Sequence, residues 1–304
     1  MTPAAIEELR GGGLGQGQSA AARAWRRIRR DPTALIGLGL IVVLVLVAIF
    51  GPLIAPHNPN YQFANGLNAE GLPVPPSREF PLGTDTLGRD LLSRIIYGAR
   101  ISLTVGVVAN AIAIGVGTGV GLVAGYFGGL TETVLMRLTD VMLAFPSLLL
   151  AMALLTLIGP GLETVIVVIA FTSWASMARI VRGQVLSIKE LEYVEAAKAI
   201  GASRWRILTR SILPQLDGVV LVYLTLNIAS AVLFEASLSF LGIGVQPPTA
   251  DWGAMISSGE SYYQIAPWLF LFPGLALALM VFSFNLFGDG LRDALDPRGR
   301  GRPA

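Results

Sequence analysis

The chain has 304 residues, no cysteine, one histidine and a formal net charge of +2 at pH 7. Hydrophobic residues make up 53% of it and charged residues only 14%, and the mean hydropathy is +0.65. This balance is far from that of a soluble protein and indicates a membrane protein. The absence of cysteine excludes disulfides and thiolate chemistry, and so small a charge argues against a nucleic-acid partner.

Six apolar runs are long enough to cross a bilayer as helices. They predict spans at about residues 34–55, 101–126, 134–158, 162–180, 219–241 and 265–287. Pro146 predicts a kink in the third span, and the sequence Gly-Pro-Gly at 159–161 predicts a tight turn after it. The predicted fold class is therefore all-α, a polytopic membrane protein with six transmembrane helices.

The spans divide the chain into five parts. We predict an N-terminal tail at 1–30, the first span at 31–56, a long outer loop at 57–97, a core of five spans at 98–290 and a C-terminal tail at 291–304. Arginines crowd the segment before the first span, the segment after the fourth span and the C-terminal tail, whereas the loop between the fifth and sixth spans has no Lys or Arg. Because positive charge stays inside, both termini are predicted to be cytoplasmic.

A charged, helix-forming segment at 189–214, called the island below, separates the fourth and fifth predicted spans. Leu191, Val194 and Ile200 contribute to an apolar stripe, which predicts a short amphipathic helix. Gly201 then predicts a turn with positive φ, and Pro214 predicts the end of a second short helix. Spacing alone leaves two interpretations of this helix-turn-helix: an amphipathic loop on the lipid surface, or a platform for a soluble partner.

Polar residues inside the apolar runs are costly unless they find partners or water. Asn110 and Asn227 favour hydrogen bonds between helices, with a lining of a transport path as the alternative. Glu235 and Asp140 are the candidates for the translocation path. Asp140 also has Arg137 one helical turn away, so that an ion pair within the helix is the competing interpretation.

The sequence contains no phosphate-binding loop ending in Gly-Lys-Ser or Gly-Lys-Thr. No Ser-His-acid arrangement and no set of metal ligands can be assembled either. We therefore expect no catalytic residue, no metal site and no enzymatic activity in this chain.

Several motifs resemble those of permease subunits of ATP-binding-cassette (ABC) importers. Glu195-Ala196-Ala197, followed by Gly201 and by Leu213-Pro214, is similar to the Glu-Ala-Ala loop of these permeases. The segments at 80–103, 237–253 and 291–298 resemble those of dipeptide and oligopeptide permeases. The likeness covers about residues 25–300 and is to the second permease type, which has an extra N-terminal span.

This resemblance implies roles and partners. Residues 195–197, 201, 213 and 214 would couple the chain to two cytoplasmic ATPase subunits, which would bind ATP and Mg; the chain itself would hold no cofactor. The resemblance also implies a second homologous permease subunit, an extracytoplasmic binding protein and the plasma (inner) membrane of a prokaryote.

Di- or oligopeptides are the substrates that the resemblance implies, with nickel chelates, glutathione or another small solute as alternatives. A function of a different class, an ion-coupled secondary transporter, depends on Asp140 and Glu235 alone. Nothing in the sequence specifically supports a passive channel.

Overall fold

The computed structural model describes residues 25–295, so most of the two predicted tails lies outside the described residues. The helices are α1 Pro32–Ile54, α2 Leu91–Phe127, α3 Gly129–Ala144, α4 Ser147–Ile158, α5 Leu162–Ile188, α6 Glu192–Ala199, α7 Arg204–Ile207, α8 Asp217–Phe240, α9 Trp252–Glu260 and α10 Trp268–Leu295. A π-helical turn at Leu208–Ile212 and a 3₁₀ turn at Leu213–Gln215 connect α7 to α8. The predicted all-α fold is confirmed.

Five of these helices are long and apolar enough to cross a membrane: α1, α2, α5, α8 and α10. The remaining predicted span, the third, at 134–158, is not one helix. It consists of α3 and α4, which are bent by 88° relative to each other. Pro146 has no amide hydrogen and pushes Phe145 into an extended conformation, so the chain breaks here where the sequence predicted only a kink.

Three transmembrane helices begin or end well outside their predicted bounds, and one of them, α10, continues to Leu295 instead of ending near 287. α2 begins at Leu91 rather than at 101, because Asp90 caps it by accepting a hydrogen bond of 3.0 Å from the Ser93 amide. α2 therefore takes up the last part of the predicted outer loop. α5 continues to Ile188 instead of ending near 180, and it carries its last two turns beyond the apolar run.

α1 lies at the edge of the bundle against α10 and α2. Its start is fixed by Asp31, whose Oδ1 accepts a hydrogen bond of 2.9 Å from the Thr33 amide, and by Pro32 in the first turn. At Gly37 a Cβ would lie 2.6 Å from the amide nitrogen of Phe287 in α10. The absence of a side chain therefore lets the two helices pack backbone to backbone.

α2 and α5 form the most extensive helix pair. The glycine-rich sequence of α2 predicts close approach, and Gly117, Gly121 and Gly125 provide it at intervals of four residues. A Cβ on Gly117 would lie 2.5 Å from the carbonyl oxygen of Trp174, and one on Gly125 would lie 2.8 Å from Cβ of Val185. Glycines 115 and 119, on another face, have open space around them.

Candidate functional site

The island forms the predicted helix-turn-helix from α6 and α7. Gly201 has φ +78°, which confirms the predicted turn. The Gly201 amide donates to the Lys198 carbonyl and the Ala202 amide to the Ala197 carbonyl, both at 3.0 Å, which is the Schellman arrangement at a helix end. Ser203 then caps α7 by accepting from the Arg206 amide.

One side of the island is buried against the bundle. Val194 of α6 is completely buried, together with Ile207 and Leu208 of the second helical segment. These residues share a core with Val181 and Val185 near the end of α5. The island is thus an integral part of the end of the helix pair α2–α5.

Polar contacts fix the island further. Lys189 donates from Nζ to the Gly125 carbonyl at 3.0 Å, and so satisfies an unpaired carbonyl at the end of α2. The guanidinium of Arg204 lies 5.9 Å from the ring centroid of Phe127, the last residue of α2. The island is therefore attached directly to the end of α2 as well as to α5.

The opposite side of the island is open. Glu195, Ala196, Gly201 and Pro214 are exposed, and residues 197 and 213 are partly buried. Large apolar side chains lie among them without cover, notably Ile200, which is 85% exposed, and Trp205, which is 64% exposed. A groove of about 590 Å³ runs between the two short helices, with the arginines at 206 and 210 among its lining residues. Such a surface is typical of a contact site.

Two ion pairs connect α3 to α5 near the island. Arg182 donates to Glu132, with Nε 2.6 Å from Oε1, and Arg179 donates to Asp140 at 2.7 Å. The predicted pairing of Asp140 with Arg137 is wrong, because α5 brings a better-placed cation from outside the helix. Asp140 lies half exposed in this pair.

Glu235 is completely buried in α8. Its Oε1 accepts a hydrogen bond of 2.8 Å from the Ser239 hydroxyl, which in turn accepts from the Val245 amide at 3.2 Å. Its carboxyl group faces that of Asp251, which caps α9. Burial raises the pKa of Asp251. Two buried carboxyl groups thus meet where α8 packs against α9.

The long loop at 57–90 folds back on the start of α2. Arg94 is buried there and donates to the Pro59 carbonyl at 3.0 Å, with its Nε 3.3 Å from Asp85 Oδ2. His57 packs its ring edge-on against that of Phe63, with the two ring centroids 4.9 Å apart. The loop is thus an ordered cap on the end of the bundle opposite the island.

A cavity of about 230 Å³ lies between α2, α5 and α8, with Ser147 at the start of α4 also in its wall. Neither Glu235 nor Asp140 lines it. Asn110 does, and its amide makes the predicted bond between helices, donating to the Leu224 carbonyl of α8 at 2.6 Å. Asn227 also lines it, but donates within its own helix, to the Tyr223 carbonyl.

Serines that were not among the predicted site residues make up much of the remaining polar wall. Ser173 and Ser176 are one turn apart on α5, and Ser230 is on α8. The three-residue spacing of Ser173 and Ser176 places them on one face of a helix and could have indicated a shared polar surface. Inside an apolar run, however, a serine contributes little to the hydropathy from which the spans were inferred.

A solved structure shares this fold. A chain described as from inward-facing conformations of the MetNI methionine ABC transporter aligns with a TM-score of 0.53 and 18% identity, covering 67% of this chain and 96% of that one. The two chains therefore share a fold over this region.

Sequence comparisons define the family. Residues 117–301 match the family described as binding-protein-dependent transport system inner membrane component, and residues 19–73 match the N-terminal transmembrane domain of oligopeptide transport permease C. The chain belongs to this family and is a permease subunit of an ABC importer. The resemblance stated from the motifs, including the extra N-terminal span, is confirmed.

Relatives of known name cover nearly the whole chain. The dipeptide transport system permease protein of Bacillus subtilis is 44% identical over 91% of this chain and 85% of its own length. The glutathione transport system permease protein of Escherichia coli O157:H7 is 44% identical over 91% of this chain and 90% of its own. The corresponding glutathione permease of Pectobacterium atrosepticum is 42% identical over 90% of each chain.

Proposed function

We propose that this permease subunit forms one half of the membrane channel of an importer for small peptides, driven by two ATPase subunits that dock on the island. The observation that carries the proposal is the two-sided island: Val194 is buried among the ends of α2 and α5, while Glu195 and Ala196 are exposed. A partner that moves the exposed side therefore also moves the helices.

The exposed face of the island suits a protein partner better than lipid. Glu195 exposes a carboxylate on the same short segment that exposes Ile200 and Trp205, and the small side chains of residues 196 and 197 allow another backbone to approach. Gly201 sets the angle between the two short helices. Burying a carboxylate in lipid would be costly, whereas an ATPase surface can offer it a cation.

α3 and α4 supply the argument for a second permease. α3 buries only Thr139 among its sixteen residues, and apolar side chains such as Leu130 and Leu138 are exposed. A broken helix with so little cover within its own chain needs neighbours for its polar backbone at the break. A homologous subunit packed against α3 and α4 would provide them, and lipid would cover the rest.

The folded loop at 57–90 is the proposed contact for an extracytoplasmic binding protein. It lies at the opposite end from the island, which agrees with cytoplasmic termini and ATPases on the inner side of a prokaryotic plasma membrane. Single cysteines test this orientation in the cysteine-free chain: Glu70→Cys and Ser258→Cys should react with an impermeant reagent outside intact cells, and Ser187→Cys should not. Labelling of Ser187→Cys from outside would contradict both the orientation and the docking.

The substrate class rests on what the relatives are named for. Dipeptide and glutathione permeases are equally similar to this chain, and both names denote small peptides. Nickel chelates or another small solute remain the competing substrates. The candidate substrates are distinguished by measuring uptake of labelled dipeptide, glutathione and nickel chelate by the reconstituted complex. Each measurement uses a binding protein whose gene lies beside that of the permease. Peptide uptake is expected, and uptake of nickel chelate alone would overturn the proposal.

ATP and Mg are proposed to be bound only by the ATPase partners. The purified subunit should therefore hydrolyse no ATP, whereas the complex with a sister permease and ATPases should do so. Nucleotide binding by the isolated subunit would argue against this division of labour.

The two acids that suggested an ion-coupled secondary transporter both have partners within the chain. Asp140 is paired with Arg179, and Glu235 is held by Ser239 and Asp251. Their assignment to the translocation path stays a prediction. Transport that continues without any ATPase would favour ion coupling.

A further inference from the structure

The cavity between α2, α5 and α8 contains hydroxyl groups that have no partner within the described part of the chain. Ser147, Ser173, Ser176, Ser230 and Tyr223 line it, and the side chains of all five make no hydrogen bond to any residue between 25 and 295. Four of them, Ser147, Ser173, Ser176 and Ser230, are exposed, and Tyr223 is partly buried. Their hydroxyl groups are therefore free to form hydrogen bonds with whatever occupies the cavity.

Several hydroxyl side chains of the neighbouring helices are paired. A helical Ser or Thr commonly satisfies itself by donating to the carbonyl four residues before it. Thr156, Thr172, Thr225 and Ser237 do this at 2.7–3.0 Å. Single unpaired hydroxyls also occur elsewhere, at Ser102 and Thr118 of α2, but the cavity brings five of them to one space.

The two asparagines add acceptors to this wall. Both use their amide nitrogens within the protein: Asn110 donates to the Leu224 carbonyl and Asn227 to the Tyr223 carbonyl. Their side-chain oxygens accept no hydrogen bond from the described residues. The wall therefore combines hydroxyls, which both donate and accept, with amide oxygens, which accept.

The wall is also uncharged. None of the thirteen lining residues found within 25–295 is Asp, Glu, Lys, Arg or His. The cavity of about 230 Å³ is smaller than the ~300–1,000 Å³ typical of pockets that enclose a drug-sized ligand. It is therefore sized for a small ligand or for part of a larger one.

From these observations we infer that the cavity is a site on the transport path which binds the amide groups of a passing peptide and does not select for its charge. A peptide bond offers one donor and one acceptor at each residue, which a wall of hydroxyls and amide oxygens can match in any register. Ser173 and Ser176 of α5 and Asn227 of α8 are the residues assigned to this binding. The inference rests on the proposed function, because it takes a small peptide as the substrate.

The main test introduces a charge into this wall. Asn227→Asp is isosteric and places a carboxylate in the cavity, and Asn227→Ser is the matched uncharged control. The ratio of uptake of a lysine-containing to a glutamate-containing dipeptide is measured in the reconstituted complex with its binding protein. Relative to the parent, Asn227→Asp should raise this ratio about tenfold or more, since a unit charge a few Å from the substrate acts strongly in a low-dielectric site. Asn227→Ser should leave it unchanged.

A second test removes the hydroxyls. The double variant Ser173→Ala, Ser176→Ala should raise KM for dipeptide uptake severalfold. The control is Ser237→Ala on α8, where the hydroxyl is already bonded to the Leu233 carbonyl and lies outside the cavity. This control should transport like the parent.

The outcomes separate the inference from the function on which it rests. If the parent complex transports no peptide, the proposed function fails. If the parent transports peptide but Asn227→Asp leaves the charge ratio unchanged, the cavity is not on the path and the inference is overturned. Should the double serine variant fail to assemble, the comparison of Asn227→Asp with Asn227→Ser still shows whether the cavity lies on the transport path.

Discussion

α5 has two faces that are built in opposite ways. The face towards α2 carries Trp174, Ala178 and Val185, whose atoms lie so close to the glycines of α2 that no further carbon atom fits between the helices. The face towards α8 carries Ser173 and Ser176 and borders a cavity. One helix thus joins a complete, dry interface to an incomplete, polar one.

The difference shows which surface holds the bundle together and which is open to other molecules. Backbone contact over several turns fixes the α2–α5 pair as one body, because any displacement would create overlap or voids. The boundary between α5 and α8 instead holds space and unpaired hydroxyls. Substitutions on the first face should therefore change stability, and those on the open surfaces should change transport.

The largest effect is expected from breaking the dry interface. In Gly121→Val the new side chain would meet the Ala178 carbonyl and Val181 of α5, and overpacking of this kind costs about 1–3 kcal/mol or more. The melting temperature of the purified subunit should fall accordingly. Gly119→Val is the matched control, because open space surrounds Gly119 on the same helix. Equal losses in the two variants would show that the interface is not tight.

The next largest effect is expected at the pair of acidic residues Glu235 and Asp251, which lies near the C-terminal end of α8. Because burial raises the pKa of Asp251 above its ordinary value of 3.8, the folded protein holds a proton that the unfolded chain has already released. The resulting stability is fully present below pH 3.8 and is lost as pH rises through the raised pKa, by up to about 1.4 kcal/mol per pH unit. Glu235 and Ser239 contact this carboxyl group, and the charge of Arg94 also acts on it.

Melting temperatures measured against pH for the parent and for Asp251→Asn check this sign. Asn keeps the acceptor oxygen that caps α9 at the Ala254 amide but does not titrate. The advantage of the parent over the variant should therefore shrink as pH rises from about 4. A constant difference between the two curves would mean that Asp251 titrates as it does in water.

At the turn of the island the expected cost to stability is smaller, about 1–2 kcal/mol, and the main effect should be on transport. Gly201 has φ +78° with open space around it, so Gly201→Val strains only the backbone of the turn. Glu195 and the first short helix should then be misplaced against the ATPase, giving normal membrane insertion but weak ATPase recruitment or uncoupled ATP hydrolysis.

Gly183→Val provides the control for this variant, because Gly183 also has open space around it but lies within α5 at an ordinary helical φ. Uptake and ATP hydrolysis are measured for both, with Glu195→Ala beside them. If Gly201→Val and Glu195→Ala both transport like the parent, the island is not the coupling element.

The smallest effect is expected at the ion pair between α3 and α5. The side chains of Arg179 and Asp140 are about half exposed, and solvent screening limits such pairs to roughly 0–1 kcal/mol. Arg179→Gln should therefore shift the melting temperature by no more than a few degrees. A large fall in the melting temperature would show that this ion pair, and not the packing of neighbouring helices, holds this end of α3 in place.

Much of the architecture could be predicted from the sequence because a bilayer imposes length and apolarity on each span. The start of α8 was predicted to within two residues, and the positive φ of Gly201 was predicted correctly. The start of α2 was missed because residues 91–100 include two arginines and a serine, so hydropathy falls there. Asp90 followed by Ser93 was nevertheless a capping signal that could have placed it.

What could not be predicted depends on contacts distant in the sequence. Proline predicts a break but not the angle of 88° between α3 and α4, which neighbouring helices decide. The partner of Asp140 comes from another helix, and a search within one helical turn could not find it. The same limit hid the cavity, because its serines become a group only when three helices meet.

Finally, the length of α2 has a mechanical consequence. Its 37 residues form one helix of about 55 Å. One end is tied to the island through Lys189 and Gly125, and the other carries Arg94, which is held by the loop at Asp85. A stiff rod of this length converts a tilt of about 5° into a displacement of about 5 Å at its far end. A single lever, without intervening joints, thus links the two surfaces of the protein.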